Sequence, residues 1–196
     1  MVVHYSIGDY LQDIVQNALE AGSAYTNVEV QETDRFLTVQ VKDTGKGMSS
    51  EEISQALDPY GTNGSKHPKR KVGLGLPFLL QCIEAVGGEF QIQSEPGKGT
   101  SVCFRIPLAH IDAPPLGNLV ETFRQILTYP GTHEIRIHRT RGKDSYTLLR
   151  SELKEALGDL ESAGSQALLK EYLESQENAL EKEGIPQIEG EKLWQK

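Results

Sequence analysis

A carboxylate followed by two spaced glycines ends an apolar stretch in VQVKDTGKGM. Asp43 shares the alternation of Val39 and Val41, so in a strand it points toward the buried face where the strand ends. A half-buried carboxylate needs hydrogen-bond donors, and the exocyclic amine of adenine is a suitable donor. Gly45 and Gly47 would let a flat base approach the backbone closely, although an ordinary turn explains the same residues.

The segment DIVQNALE carries Asp13, Asn17 and Glu20 at spacings of four and three. On a helix these side chains form one stripe, roughly opposite an apolar stripe. A solvated polar face is one explanation, but asparagine is a poor residue for an exposed helix interior. The amide oxygen of Asn17 suits Mg²⁺, which shares its remaining positions with phosphates and water. The carboxylate of Asp13, one turn earlier, could orient or deprotonate a water beside that metal.

Two further glycine motifs follow along the chain. In KVGLGLP, Gly73 and Gly75 precede a predicted helix, whose first N–H groups and dipole attract anions. The motif is neither a GxGxxG sequence, because phenylalanine occupies the third glycine position, nor a Walker loop, because no Gly-Lys-Ser/Thr follows. In SEPGKGTSVCF, Gly97 and Gly99 indicate a hairpin turn. The hydroxyl of Thr100 is predicted to point inward, where it could hydrogen-bond a buried aspartate directly or through a water.

Periodicity and capping residues predict the elements that position these motifs. The predicted elements are a helix at 9–22 with Asp9 as N-cap, strands at Asn27–Gln31 and Phe36–Val41, a short helix opened by the Ser49–Glu52 capping box, a helix with Pro77 in its first turn, and two strands on either side of EPGKG. Their order predicts an α+β fold, a two-layer α/β sandwich with a mixed sheet and helices on one face.

The chain is expected to divide into a domain at 1–108, a proline-containing linker at 109–116 and an α-rich C-terminal extension at 117–196 with a β-hairpin. One stripe of the last predicted helix is apolar, and it could pack as core or form a partner or dimer surface. The stripe consists of Leu168, Leu169, Tyr172 and Leu173.

Composition and charge argue against nucleic-acid-binding, membrane and secreted classes of protein. The chain has 196 residues and a formal net charge of −8, so nucleic-acid binding driven by bulk charge is not expected. No run approaches the ~20 apolar residues that a membrane helix needs, and no signal peptide is visible, so we expect a cytoplasmic protein without membrane association. Cys82 and Cys103 lie in apolar runs and are expected to be reduced core thiols.

In this order, the asparagine helix and the D-x-G-x-G, G-x-G and G-x-G-T motifs resemble the GHKL nucleotide-binding domain. This superfamily includes gyrase, the ninety-kilodalton heat-shock chaperone, histidine kinases and the mismatch-repair ATPases. DIVQNALEAGS is similar to the asparagine box of the mismatch-repair branch, whereas VGLGLPFLLQCIEAVGGEFQIQSEPGKGTSVCFRIPL looks like the kinase branch. The resemblance covers about residues 5–108 and implies a Bergerat-type fold that binds ATP and Mg²⁺.

The resemblance also implies roles for individual residues. Asn17 would hold Mg²⁺ on the ATP phosphates, Asp43 would bind the adenine amine, and Thr100 would support that aspartate. The other residues implied to contact the nucleotide in these motifs are Gly45, Gly47, Met48, Gly73, Leu74, Gly75 and Leu76. A lid at residues 60–72 would close over the phosphates, and its cations are Lys66, Lys69, Arg70 and Lys71.

The sequence departs from the family pattern in two places. The ATP-hydrolysing branches carry a glutamate four residues before the asparagine, and this chain has Asp13 there. Its carboxylate is displaced by about 1.5 Å, and a misplacement of about 1 Å can cost on the order of a hundredfold in rate. Few residues precede His4 in this sequence, which leaves no room for a phosphoacceptor hairpin. Any phosphotransfer is therefore expected to go to a separate protein.

These features predict a chain that binds Mg-ATP, hydrolyses it slowly through Asp13, and acts as a nucleotide-dependent conformational module. A protein partner or a homodimer is expected through the C-terminal extension. Two alternatives stay open at the level of sequence. One is a protein kinase, histidine or serine and similar to the anti-sigma-factor kinases, that acts on a separate partner. The other is a nucleotide sensor without catalysis.

Overall fold

A computed structural model describes residues 5–59 and 75–181. Its helices and strands, in chain order, are α1 (Ile7–Glu20), β1 (Tyr25–Glu32), β2 (Phe36–Asp43), α2 (Ser50–Leu57), α3 (Gly75–Ala85), β3 (Glu89–Glu95), β4 (Gly99–Pro107), α4 (Leu119–Leu127), β5 (Glu134–Arg141), β6 (Asp144–Leu149), α5 (Arg150–Leu157) and α6 (Ala163–Glu181). Each predicted helix and strand is present. No helix in the described ranges combines the length and apolar character needed to cross a membrane.

The start of α1 corrects one prediction. The N-cap is Ser6, not Asp9, and the helix begins at Ile7. Asp9 occupies the third helical position, and its carboxylate accepts a 2.7 Å hydrogen bond from the Ser6 backbone N–H. The Ser6 hydroxyl in turn accepts from the backbone N–H of Asp9 at 3.2 Å. This reciprocal capping box satisfies two N–H groups that would otherwise lack acceptors, which explains the earlier start.

The strands of the described residues form one mixed six-stranded sheet with the order β3-β4-β2-β1-β5-β6. β1 and β5 are parallel, and the other neighbouring pairs are antiparallel. The mixed sheet and the surrounding helices confirm the α+β class.

The two faces of the sheet differ in polarity. Val28 and Val41 are paired across β1 and β2, and both are buried against the helices. On the opposite face, Glu29 is paired with Gln40 on one side and with His138 on the other. The helices therefore cover one face of the sheet, as predicted.

The C-terminal hairpin β5–β6 continues the same sheet. β5 pairs with β1, so strands from both sides of residues 109–116 share one hydrogen-bonded ladder. Leu169 and Leu173 of α6 are fully buried in the common core. Leu168 and Tyr172 on the same helix remain 54% and 42% exposed. The predicted apolar stripe of α6 therefore divides into a core half and a surface half.

The segment before α4 holds the start of α1. The backbone N–H groups of Ile7 and Gly8 donate to the carbonyls of Pro115 and Leu116 at 2.9 and 3.1 Å. A side chain at position 8 would collide with the Thr122 hydroxyl of α4. Glycine at this position therefore permits close packing of α1 and α4, and the C-terminal segment fixes the helix that carries the polar stripe.

Both cysteines are free thiols. Cys103 is buried and Cys82 is half-buried. Burial raises the pKa of the Cys103 thiol to about 11, with smaller contributions from nearby glutamates. The burial of Cys103 agrees with the predicted core position, whereas Cys82 lies at the edge of the core.

Candidate functional site

Asp43 lies at the end of β2 with 8% of its surface exposed. Its Oδ1 accepts a 2.7 Å hydrogen bond from the backbone N–H of Gly45. Burial raises the pKa of the Asp43 carboxyl, against the opposing effect of hydrogen bonds from the backbone of Gly45 and Thr100. Within the described ranges no ion pair neutralises it. Because an ionised carboxylate offers about four acceptor positions, Asp43 keeps acceptor capacity beyond its two backbone donors.

The two glycine loops around Asp43 interlock through their backbones. Gly47 has a φ of 65° and Gly99 a φ of 102°, a range of φ that favours glycine. A Cβ on Gly47 would collide with the carbonyl of Glu95, and a Cβ on Gly99 would collide with the carbonyl of Asp43. A Cβ on Gly45 would lie 2.9 Å from Oδ1 of Asp43. The packing of the protein itself therefore requires these glycines, independently of any bound base.

Ser94 ties the two loops together, and the sequence analysis did not identify it. Its hydroxyl accepts from the backbone N–H of Met48 at 2.8 Å and donates to the carbonyl of Gly99 at 3.0 Å. It also lies 2.8 Å from the hydroxyl of Thr100. The Thr100 hydroxyl therefore bonds Ser94, whereas Asp43 receives the Thr100 backbone N–H. The sequence predicted that the Thr100 hydroxyl meets Asp43 directly or through a water; in the structure the hydroxyl bonds Ser94, and a contact with Asp43 through water stays a prediction.

The polar stripe of α1 faces the start of α3. Asp13 is half-buried, and Asn17 and Glu20 are exposed. A Cβ on Gly75 would collide with Oδ2 of Asp13, so glycine at this position allows the carboxylate to lie against the helix start. Burial, and to a lesser degree the nearby Glu20, raises the pKa of the Asp13 carboxyl. The structure thus brings two of the predicted motifs into direct contact.

The end of α1 is joined to the loop that follows Asp43. The backbone N–H of Lys46 donates to the carbonyl of Ala21 at 3.1 Å. The Ser23 hydroxyl accepts from the backbone N–H of Thr44 at 3.0 Å and donates to the carbonyl of Tyr25 at 2.8 Å. Asn17 and Asp43 therefore lie on rigidly connected backbone, although they are far apart in the sequence.

Tyr129, just beyond α4, brings the C-terminal segment to this site. Burial raises the pKa of the Tyr129 phenol, and the nearby negative charges of Glu20 and Asp13 raise it further. The loop that carries Tyr129 is held by the buried guanidinium of Arg150, which donates to four backbone carbonyls. The acceptors are Leu127 at 3.1 Å, Tyr129 at 3.0 Å, Gly131 at 3.2 Å and His133 at 3.1 Å. Arg150 thus fixes a loop beside the polar stripe of α1.

Several predicted residues lie outside the described ranges. These are Lys66, Lys71, Gly73 and Leu74, together with the rest of the predicted lid at 60–72. Leu76 is half-buried and packs against the hydrophobic core. Met48 is half-buried, and its backbone N–H holds Ser94. These contacts make Leu76 and Met48 part of the frame of the site; their role toward a nucleotide stays a prediction.

The residues missed from sequence are Ser23, Ser94 and Tyr129. Serines beside turns are common, so Ser23 carries no specific signal. Ser94 lies opposite Thr100 once the register of the β3–β4 hairpin is set, and that register could have indicated the contact. Tyr129 approaches the site only through the packing of α4 on α1, which no local pattern encodes.

A magnesium ion would find oxygen ligands at this site without a complete protein cage. In the part of the chain that the structure describes, no group of three or more His, Cys, Asp or Glu residues could hold a metal. The exposed amide of Asn17, one turn from the carboxylate of Asp13, presents oxygen donors of the type that Mg²⁺ prefers. These donors fit an ion that takes its other ligands from phosphates and water.

Comparison with known proteins identifies the family. Residues 6–110 match the model of the histidine kinase-, DNA gyrase B-, and HSP90-like ATPase family. The chain belongs to this family. Its matched region contains Asn17, Asp43, Gly75 and Thr100, and the GHKL resemblance seen in the sequence is confirmed. The chain therefore carries an ATP-binding domain of the type found in histidine kinases.

Relatives match about half of the chain. The sensor histidine kinase RcsC of Escherichia coli (strain K12) is 31% identical over 106 residues, which cover 50% of this chain and 11% of RcsC. The sensor histidine kinase WalK of Bacillus subtilis (strain 168) is 32% identical over 108 residues, covering 52% and 18%. A crystal structure of full-length ShkA in complex with AMPPNP is 22% identical with a TM-score of 0.41, covering 54% and 22%. The match thus spans less than a fifth of each of these two curated relatives.

Proposed function

We propose that this chain binds Mg-ATP between α1, the end of β2 and the start of β4, and hydrolyses it slowly as a nucleotide-dependent conformational module. The observation that carries the proposal is the environment of Asp43. Its carboxylate is buried without a described cation, is oriented by backbone N–H groups, and retains acceptor capacity for an amine. Burying a carboxylate without a cation costs folding free energy, and a bound ligand that donates hydrogen bonds to it would offset part of that cost.

The polar stripe of α1 supplies the groups for the phosphate end. Asn17 would ligate Mg²⁺ through its amide oxygen, and the bound ion would neutralise charge on the phosphates. Asp13 would accept a proton from the attacking water, and its raised pKa brings it closer to the range of an effective general base. Its shorter side chain, compared with glutamate, is the reason for slow turnover.

The test uses ATP labelled at the γ-phosphate with Mg²⁺. We expect labelled free phosphate to appear slowly with the wild-type chain. Asp13→Asn should lower that rate by about 10²–10⁴-fold, the usual contribution of a general base, and leave ATP affinity within about twofold. Asp34→Asn, an exposed turn residue, is the matched control. Unchanged hydrolysis in Asp13→Asn would remove Asp13 as the base.

The relatives favour a second candidate, transfer of the γ-phosphoryl group to a separate protein. RcsC and WalK are sensor histidine kinases, and this chain matches their ATPase region at 31% and 32% identity. In the labelling experiment, radioactivity on an added response-pathway protein or on another protein would support this candidate over hydrolysis. Tight ATP binding without release of labelled phosphate and without its transfer to a protein would support a nucleotide sensor without catalysis.

A protein partner or a homodimer through the C-terminal segment remains part of the proposal. Leu168 and Tyr172 of α6 lie one turn apart and are exposed, as a contact surface would require. Light scattering of the wild-type chain and of Leu168→Glu, with and without Mg-ATP, tests it. A monomer in every condition would argue against the homodimer.

A further inference from the structure

The hydroxyl of Ser94 has three neighbours, and their chemistry determines where its proton goes. The Met48 backbone N–H can only donate, and it reaches the Ser94 oxygen at 2.8 Å. The Gly99 carbonyl can only accept, and it lies 3.0 Å from that oxygen. The third neighbour is the hydroxyl of Thr100, at 2.8 Å. A serine hydroxyl has one proton and two acceptor positions, so these three contacts use all of its capacity.

The direction of the third bond follows from the other two. Ser94 gives its proton to Gly99, so the bond between the two hydroxyls requires Thr100 to donate. The Thr100 proton is therefore committed to Ser94, and the free lone pairs of the Thr100 oxygen are what it can offer to a ligand. Asp43, which receives the backbone N–H of Thr100, offers acceptors as well.

We propose that Ser94 is a positioning residue that makes Thr100 an acceptor and thereby selects 6-amino purines over 6-oxo purines. This inference rests on the proposed function, because it assumes that the base lies at Asp43. Two neighbouring acceptors suit the exocyclic amine of adenine, directly or through a water that donates to them. The 6-oxo group of hypoxanthine brings a third acceptor, and the repulsion between unpaired acceptors disfavours it.

The sign of one mutational effect reports the direction of the Thr100 proton. Thr100→Val replaces the hydroxyl with a methyl group of similar size. If Thr100 is an acceptor, the variant should weaken Mg-ATP binding about fivefold and change Mg-ITP binding little, so that the preference for ATP falls. If Thr100 instead presents its proton to the pocket, the variant should weaken ITP more than ATP, and the preference should rise. A rise overturns the proposal.

Ser94→Ala tests the positioning role itself. Without Ser94, the Thr100 proton is free to turn toward the pocket, where it can meet a 6-oxo group. We expect the ratio of the ITP and ATP dissociation constants to fall about fivefold. Ser94→Thr restores a hydroxyl and should restore the wild-type ratio. Ser101→Ala, a half-buried serine on the opposite face of the same sheet, is the matched control and should leave the ratio unchanged.

The measurement is competition of ATP and ITP against a fluorescent ATP analogue, with Mg²⁺ and the full chain. In the double variant Ser94→Ala/Thr100→Val, the ratio should equal that of Thr100→Val alone, because Ser94 acts through Thr100. Equal weakening of ATP and ITP in Ser94→Ala would mean a purely structural serine and would overturn the inference. If Ser94→Ala does not fold, the ratios of the ITP and ATP dissociation constants of Thr100→Val and Ser94→Thr still test the inference. A wild-type chain that binds neither nucleotide would overturn the proposed function itself.

Discussion

Two groups of buried charge lie at opposite ends of the β1–β2 hairpin, and they are neutralised in different ways. At one end, Asp43 accepts hydrogen bonds from the backbone of Gly45 and Thr100. At the other end, about 20 Å away by the rise of a strand, Glu32 pairs with Arg139 and Arg141. Arg139, which is 1% exposed, also pairs with Glu177 of α6 at 3.5 Å. We name Glu32, Arg139, Arg141, Glu177 and Tyr146 the charged cluster.

The difference separates a structural arrangement from a binding arrangement. In the charged cluster each carboxylate has a guanidinium or phenol partner, and the partners come from β1, β5, β6 and α6. These contacts join the C-terminal hairpin to the rest of the sheet. Asp43 has no described cation, and its pKa is raised by burial. Removing one member of a buried, partnered charge group is costly to the fold, whereas a buried charge with spare acceptor capacity is available to a ligand.

The largest expected effect breaks the charged cluster. Arg139→Met leaves the carboxylates of Glu32 and Glu177 without their shared guanidinium. Removing one partner of a buried pair costs about 3–5 kcal/mol, so we expect a loss of that size in the free energy of unfolding, measured by urea denaturation. Any ATP affinity of the folded protein should be unchanged. The control is Arg136→Met, a 31% exposed arginine on the same strand, with an expected loss below about 1 kcal/mol. Similar losses of unfolding free energy in Arg139→Met and Arg136→Met would show that the charged cluster matters no more to the fold than an exposed ion pair.

The next effect concerns binding and leaves folding intact. Asp43→Asn replaces the acceptor carboxylate by an amide and should weaken Mg-ATP binding about a hundredfold, since a bond to a charged group contributes ~1.5–3 kcal/mol. Because burial raises the pKa of Asp43, its charged form destabilises the folded state at neutral pH. The thermal midpoint of Asp43→Asn at pH 7 should therefore be no lower than that of the wild type. Retained ATP affinity would contradict the assignment of the base site.

A smaller effect follows from the same pKa. The folded pKa of Asp43 lies above its unfolded value, so its contribution to stability is fully present below the unfolded pKa and is lost as pH rises through the folded pKa. Nucleotide binding has the opposite dependence, because it requires the ionised form. Below the folded pKa, ATP affinity should fall by up to about tenfold per pH unit. Titration of wild type and Asp43→Asn side by side checks this, since the variant should lack that component of the slope.

The smallest effect sharpens the account of the charged cluster. The Tyr146 hydroxyl donates to Glu177, and burial together with that carboxylate raises the pKa of the phenol well above its usual range. Tyr146→Phe removes one donor and leaves Arg139 beside Glu177, so we expect a loss of about 1 kcal/mol in the free energy of unfolding. Tyr172→Phe, an exposed tyrosine of α6, should be neutral. A loss above about 3 kcal/mol for Tyr146→Phe would show that the phenol, not Arg139, is the main partner of Glu177.

The sequence predicted the placement of those site residues that depends on local patterns. The alternation of β2 placed Asp43 on the buried face, and the structure confirms that placement. The three-and-four spacing placed Asp13 and Asn17 on one stripe of α1, which is also confirmed. The capping residue of α1 was wrong by three positions, because a serine and an aspartate three residues apart satisfy each other in a way that a single-residue reading overlooks.

The sequence by itself determined the helices and strands and the inward-facing polar residues, because these depend on periods of two and of about three and a half residues. The order of the glycine and asparagine motifs is read directly from the sequence. The tertiary structure alone decided that β5 joins β1, that the hydroxyls of Ser94 and Thr100 meet, and that Tyr129 lies near enough to the polar stripe of α1 to sense its charge. These contacts join residues far apart along the chain, and their geometry depends on strand register and helix packing. No local pattern of residues specifies either of these.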